Sequence, residues 1–337
     1  MAKIGVGIVG CGGMGAALAQ GLAELPTAEL VACYDEAPER AADLAKQRGG
    51  SVCASYRRLL ADERVQAVVV ATPQFNHAKS AVAAARAGKH VFCEKPMAVT
   101  PKQCDAMIEA CRAAGVKLMI GQVCRYHAVH GKVKELVASG EYGKPIAMTV
   151  HRLGGPWGGP YTQPWRLKSA LCGGTLLEIN SHEIDFMRWI CGDVASVYAA
   201  GGLYLDQRLD YPDLTLVTLH FTSGAKGLLH TGQVSALGGY GGRVDCERGS
   251  IAFPTIWGGG AGIHIAKAGG ETAFLPADQI KVENPVTHEL RDFIDCILNG
   301  TPSPIPGEEG RAAVEVGMAA YRSIRAGKPV KLMANHE

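Results

Sequence analysis

Short apolar runs alternate with helical stretches from residue 4 to about residue 121. The runs are Ile4 to Val9, Leu30 to Tyr34, Ala67 to Ala71, Val91 to Cys93 and Leu118 to Ile120. Apolar residues follow one another in them without the polar alternation of a half-exposed strand, so each predicts a strand covered on both faces. Segments 14–25, 37–48, 77–87 and 101–114, rich in Ala, Leu, Glu, Lys and Arg, predict the intervening helices. Buried strands separated by helices make a parallel, doubly wound sheet.

Beyond a further helix over 128–139 the strands follow one another without helices between them. Leu214 to Phe221 leads through Thr222-Ser223-Gly224 into Gly227 to Thr231, which predicts an antiparallel hairpin. Glycine clusters at 154–159, 238–242 and 258–262 predict loops. Helices over 286–298 and 308–326, separated by N-G-T-P-S-P-I-P-G, close the chain. The fold class expected is α/β, with a doubly wound domain over 1–123 and an α+β domain over 124–337. A length of 337 residues suits two domains of roughly 150 each.

Composition narrows the function classes. Apolar residues make up 47% and charged ones 20%, and Lys plus Arg number 34 against 32 acids, with no basic run longer than a pair such as Arg57-Arg58. Neither nucleic acid nor an anionic membrane is expected as a partner. The apolar stretches are shorter than the ~18 residues a membrane span needs, and the amino terminus has no signal-peptide pattern, so a cytoplasmic location is expected. Eleven scattered cysteines, among them Cys33 and Cys93, form no C-x-x-C pair and read as reduced thiols, not disulfides or zinc ligands. No metal site is expected.

G-C-G-G-M-G places Gly10, Gly12 and Gly15 in the G-x-G-x-x-G spacing. The motif follows an apolar strand and opens a helix, the context in which glycines let the backbone approach a pyrophosphate at a helix N-terminus. Asp35 ends the second strand, twenty residues beyond Gly15, where a carboxylate accepts ribose hydroxyls. Glu36 follows it in place of an arginine, so NAD is expected and NADP disfavoured. The loop A-T-P-Q-F-N-H (71–77) leaves a strand at the same sheet edge. There Pro73 reads as a turn and Asn76 as a helix cap, with backbone close to the cofactor. In C-E-K-P-M, Pro96 holds Lys95 out of the helical region and so projects its ammonium at the mouth of the sheet.

The second constellation lies in G-G-T-L-L-E-I-N-S-H-E-I-D-F-M-R-W-I-C-G, residues 173–192. At 3.6 residues per turn Glu178, His182 and Asp185 share one stripe, and Ile179, Phe186, Met187 and Ile190 occupy much of the other side. Periodicity alone fits a solvent face as well as a site. Phe186 stands where a zinc-protease helix needs its second histidine, and no G-x-S-x-G supports a serine hydrolase.

With these motifs in place, the chain resembles the glucose-fructose oxidoreductase and inositol dehydrogenase family, the Gfo/Idh/MocA family. The resemblance rests on G-I-V-G-C-G-G-M-G, on the segment from A-T-P-Q-F-N-H to C-E-K-P-M, on C-G-G-T-L-L-E-I-N-S-H-E-I-D and on the closing helices. It implies a Rossmann domain and a second domain with a large open, mainly antiparallel sheet, through which homodimers or homotetramers form. It also implies oxidation or reduction of a secondary alcohol on a sugar or cyclitol with NAD or NADP. The family's lysine, acid and histidine fall on Lys95, Glu178 and His182. Most members have Asp at the position of Glu178. The cofactor set implied is Gly10, Gly12, Gly13, Met14, Gly15, Asp35, Thr72, Pro73, His77, Glu94, Lys95 and Gln122. The substrate set is Lys95, Arg125, His151, Trp157, Trp165, Arg166, Asn180 and His182, with Tyr161 in the same long loop. That loop reads equally as a sugar-stacking wall or as a lid packed on its own sheet.

For an alcohol oxidation the proton acceptor must be neutral beforehand. Histidine, of ordinary pKa ~6.5, already is near pH 7, whereas lysine at ~10.4 needs a drop of about three units, roughly 4 kcal/mol. His182 is therefore expected to take the proton and Lys95 to donate a hydrogen bond to the developing alkoxide, with Glu178 orienting one of them. Three alternatives share the motifs: an eliminase or glycosidase that recycles NAD in place, a keto-sugar or imine reductase, and a non-catalytic NAD-binding regulator.

Overall fold

A computed structural model describes residues 3–258 and 260–332. In chain order the first elements are β1 (Ile4–Val9), α1 (Gly13–Ala23), β2 (Ala28–Tyr34), α2 (Pro38–Arg48), β3 (Ser51–Val52), α3 (Tyr56–Ala61), β4 (Ala67–Val70), α4 (His77–Arg86), β5 (His90–Glu94), α5 (Pro101–Ala113) and β6 (Leu118–Gly121). There follow α6 (Ala128–Ala138), β7 (Pro145–Leu153), α7 (Ser169–Cys172), α8 (Thr175–Glu178), α9 (Ser181–Cys191), β8 (Val194–Gly202), β9 (Leu214–Phe221) and β10 (Lys226–Gly232). The last are β11 (Gly239–Cys246), β12 (Gly249–Phe253), β13 (Gly262–Lys267), β14 (Thr272–Pro276), α10 (Pro285–Leu298), α11 (Gly307–Ala326) and β15 (Val330–Lys331).

The chain divides into two compact units, one of Met1–Tyr126 with Glu283–Ala312 and one of His127–Val282 with Ala313–Glu337. The sequence drew contiguous domains meeting at 123/124; instead α10 and the start of α11 join the first unit. The reason is packing: the Phe293 ring of α10 lies edge-on to Phe92 of β5, centroids 5.7 Å apart, and α10 also closes on Gly21 of α1 through Leu290 and Val286.

Among the described residues, the first unit holds a six-stranded parallel sheet in the order β3-β2-β1-β4-β5-β6. The reversal between β1 and β4 is the topological switch at which open α/β sheets bind ligands, outside the strands' carboxyl ends. β3 and α3 escaped the sequence reading because a two-residue strand and a six-residue helix are too short to show a period. Ser55 starts α3 by accepting a hydrogen bond from the Arg58 amide.

The second unit holds a mixed, mostly antiparallel sheet of nine strands among the described residues, ordered β14-β13-β12-β11-β7-β10-β9-β8-β15, in which β7 and β10 run parallel. The predicted hairpin is β9–β10. The glycine cluster at 238–242, read as a loop, lies mostly in β11. A Cβ on Gly242 would stand 2.2 Å from the Thr149 carbonyl oxygen, so glycine here serves close strand approach and not a turn. Residues of β9 and β10 alternate buried and accessible along each strand, one face packed and the other open.

Candidate active site

In the first unit the turn after β1 is built around two glycines. Gly10 has φ +90°, and a side chain on it would meet the Ala71–Thr72 backbone at 2.5–2.6 Å. A Cβ on Gly15 would lie 2.0 Å from the Gly10 carbonyl oxygen. Gly12 and Gly13 differ: a Cβ on either meets nothing within 4 Å. Gly12 caps α1 without a side-chain hydrogen bond, and Met14 beside it is exposed. Asp35 closes the cradle, its Oδ2 accepting the Cys11 amide at 2.7 Å and its Oδ1 the Ala37 amide at 2.9 Å. An open backbone at the positive end of a helix, with a carboxylate fixed beside it, suits a pyrophosphate and a ribose diol.

The carboxyl ends of β4, β5 and β6 continue this edge. Thr72 Oγ1, Glu94 Oε1 and Gln122 Oε1 are buried there without a hydrogen-bond partner among the described residues. Buried polar atoms are normally satisfied, and three orphans at one sheet edge suit the polar half of a dinucleotide. Lys95 donates its amide to Glu94 Oε2 at 3.1 Å and precedes a cis peptide bond to Pro96.

The structure gives two of the residues singled out in the sequence local partners here, His77 and Arg125, and corrects the expected cap at Asn76. His77 is buried, with Nδ1 2.9 Å from the Pro96 carbonyl oxygen and Nε2 2.7 Å from the Thr72 carbonyl oxygen. It ties the two loops together. Asn76 precedes α4 without a side-chain cap. Arg125, assigned to substrate, forms a 2.6 Å ion pair with Glu309.

Burial pushes the Glu94 carboxyl from 4.5 up to about 7, against the opposing pull of Lys95. The folded protein then holds a proton that the unfolded chain has lost, so stability declines as pH rises from about 4.5 to about 7. Two to three units correspond to about 3 kcal/mol. Urea unfolding at pH 5 and pH 7.5 should show this decline in the wild type, and a clearly smaller one in Glu94→Gln.

In the second unit the segment read as one helix is two. Gly173 and Gly174, both at φ +74°, precede α8, and the Tyr321 hydroxyl accepts the Leu176 amide at 3.0 Å. The helix breaks at Ile179–Asn180 and restarts as α9. The polar stripe is not a solvent face: Glu178, His182 and Asp185 are 5%, 8% and 1% exposed.

Arg166 reaches Glu178 Oε1 through Nε at 2.9 Å. Its guanidinium also stacks on Trp165 at 4.4 Å and Tyr161 at 5.0 Å, and its carbonyl accepts the Tyr211 hydroxyl at 2.5 Å. The long loop is therefore anchored, with Trp157 buried among Cys172, Ile179, Leu209 and Tyr211 and with Trp165 packed against that cluster. Trp157 is core, not an accessible sugar wall.

Asn180, also assigned to substrate, is entirely buried. It donates to Glu183 Oε2 at 2.7 Å and accepts from Thr231 Oγ1 at 2.8 Å. Glu183 in turn pairs with Arg152 at 2.8 Å. This brace behind His182 escaped the sequence reading, since nothing local links residue 152 to residue 183. Arg152 points toward α9, so by strand alternation His151 points to the opposite face. It sits there in register with His230 of β10 and away from Glu178 and His182.

Residues 4–122 match the model of an oxidoreductase family with an NAD-binding Rossmann fold, and residues 130–252 match a GFO/IDH/MocA C-terminal domain. Inositol 2-dehydrogenase of Rubrobacter xylanophilus is 30% identical over 98% of this chain and 93% of its own. The chain belongs to the Gfo/Idh/MocA oxidoreductase family. This Gfo/Idh/MocA oxidoreductase is also 29% identical to myo-inositol 2-dehydrogenase of Thermotoga maritima, over 97% of this chain and 98% of the relative. Among solved structures it is similar to an aldose-aldose oxidoreductase from Caulobacter crescentus complexed with glycerol. That similarity is 30% identity and a TM-score of 0.88, over 98% of this chain and 100% of the other. The NAD-binding match spans the glycine turn, Asp35, Lys95 and Gln122. Among the described residues, no helix of this Gfo/Idh/MocA oxidoreductase is long and apolar enough to cross a membrane.

Proposed function

We propose that this protein is an NAD-dependent dehydrogenase acting on a secondary alcohol, or the matching ketone, of a sugar, glycoside or cyclitol. The observation that supports it most is Lys95 on the carboxyl edge of the sheet, among the orphaned polar atoms of Thr72, Glu94 and Gln122. A cation at that point serves an oxygen that gains negative charge. The inositol and aldose substrates in the relatives' names support a polyhydroxylated substrate.

When bound, the nicotinamide supplies hydride transfer. Gly12, Gly13 and the first turn of α1 would hold the pyrophosphate, Asp35 a ribose diol, and Glu94 and Gln122 the nicotinamide end. His182 accepts the hydroxyl proton, and Lys95 donates a hydrogen bond to the oxygen as it becomes an alkoxide. Arg166 orients Glu178, while the Asn180–Glu183–Arg152 brace fixes the start of α9. A soluble-compartment role and self-association fit this reading. Tyr198, Leu216 and Leu228 are exposed on neighbouring strands of the open sheet face, a surface suited to a second copy.

A screen of inositols, aldoses and glycosides with NAD and NADP in parallel, followed by NADH absorbance, tests the proposal. The expected result is turnover of a polyol with NAD preferred by about 100-fold, about 3 kcal/mol, because a 2′-phosphate beside Asp35 and Glu36 meets like charge. Release of sugar from a glycoside without net NADH would replace it with the recycling eliminase. Tight NAD binding with no turnover of any polyol or glycoside would leave the regulator.

A further inference from the structure

The proposed chemistry leaves Glu289 unused. Glu289 on α10 is completely buried, and neither carboxylate oxygen has a hydrogen-bond partner among the described residues. Its place follows from the packing of α10 on β5. Phe92 and Glu94 lie two residues apart on one face of β5, about 7 Å along the strand. A Cβ on Gly121 of neighbouring β6 would touch both, at 3.1 Å from Phe92 Cζ and 3.2 Å from Glu94 Oε1. Phe293 covers Phe92, and Glu289 precedes Phe293 by four residues, about 6 Å along the same helix face. The two steps match, and Glu289 feels the charge of Glu94.

We propose that Glu289 is a positioning residue that shares a single proton with Glu94, so that the E-K-P turn presents one fixed negative charge beside Lys95. Two carboxylates in one dry site do not both ionise. With one proton between them, the pair carries a single negative charge in the dry site. Glu94 Oε2 stays free to hold the Lys95 amide.

The surrounding groups leave this proton to the pair. Arg125 is engaged by Glu309 at 2.6 Å. The Tyr126 hydroxyl donates to Asp292 at 2.8 Å, and burial and that acid hold its own pKa far above the ordinary value. The Cys93 thiol is likewise pushed well up by burial. Lys95 is the cation whose field acts on Glu94. Burial raises both acids of the pair.

The sharing of the proton stands apart from the proposed function; its effect through Lys95 rests on it, and the test separates the two. Infrared spectra of the full-length protein labelled with carbon-13 glutamate, recorded across pH without any ligand, should show a non-ionised carboxyl band at neutral pH. The band should shift on labelling and disappear at alkaline pH, and in Glu289→Gln it should be gone already above about pH 8, because Glu94 alone gives up its proton near 7. Absence of the band in the wild type at neutral pH overturns the proposal, and so does a band that titrates at the same pH in Glu289→Gln as in the wild type. Should that variant not fold, the wild-type band and its isotope shift decide alone. With a substrate in hand, the rate of the wild type should fall at the pH where the band vanishes, and Glu289→Gln should lack that limb. An identical limb in both overturns the positioning role while the infrared result stands.

Discussion

Lys95→Met lowers kcat by about 10³-fold, the middle of the range for removing a positioned proton-handling group, while NAD still binds. Methionine keeps the length and apolar body of the side chain, and the turn around it is set by backbone contacts that the substitution does not touch. Chief among them are the Lys95 amide on Glu94 and the His77 ring on the Pro96 carbonyl. Loss of rate with retained affinity separates a role in the reaction from a role in folding the loop. His182→Ala completes the comparison with a loss of similar size and the disappearance of the acidic limb of the pH–rate profile, because the proton acceptor is gone. Steady-state kinetics with NAD titrated by fluorescence check both. If His182→Ala kept turnover and its pH profile while Lys95→Met abolished both, the lysine would be the base.

Gly15→Ala abolishes NAD binding and lowers stability by about 1–3 kcal/mol, as overpacking does. The added methyl falls 2.0 Å from the Gly10 carbonyl oxygen, and Gly10 has no room to yield, since its own Cβ position already meets the Ala71–Thr72 backbone at 2.5–2.6 Å. The turn must open, which moves the Cys11 amide off Asp35. Gly13→Ala is the informative contrast. Its methyl meets no protein atom within 4 Å, so the urea midpoint holds or rises slightly, yet it stands where the pyrophosphate must approach. Calorimetric titration with NAD, alongside urea unfolding of both variants, measures the two effects. Tight NAD binding by Gly13→Ala would place the pyrophosphate elsewhere.

The site was legible in the sequence where chemistry and local geometry coincide. The glycine turn, Asp35 and the E-K-P tripeptide each lie at the end of a strand visible as an apolar run, and the parallel sheet then brings those ends to one edge. Glu178 and His182 were legible as a pair, though not as buried residues, since a polar stripe on a helix says nothing about what covers it. The surroundings of His151, Asn180, Arg125, His77 and Trp157 were not legible in the sequence, for a common reason. Each has a polar or aromatic side chain near a motif, and its occupation depends on a partner brought in by the fold: His230, Glu183 and Thr231, Glu309, two carbonyls, and an aromatic cluster, in that order.

The amino-acid pattern by itself determined the doubly wound sheet, the cofactor turn with its acid, and the hairpin of the second unit. These are set by period, by steric need for glycine and by connections between neighbouring strands. Only the tertiary structure decided that α10 returns to the first unit, that Glu289 is buried within the field of Glu94, that Arg166 holds Glu178, and that His151 faces away from α9. A repeat of apolar positions fixes which side of an element must be covered, but the covering element comes from packing between distant segments. The identity and charge state of every buried polar partner follow from that choice.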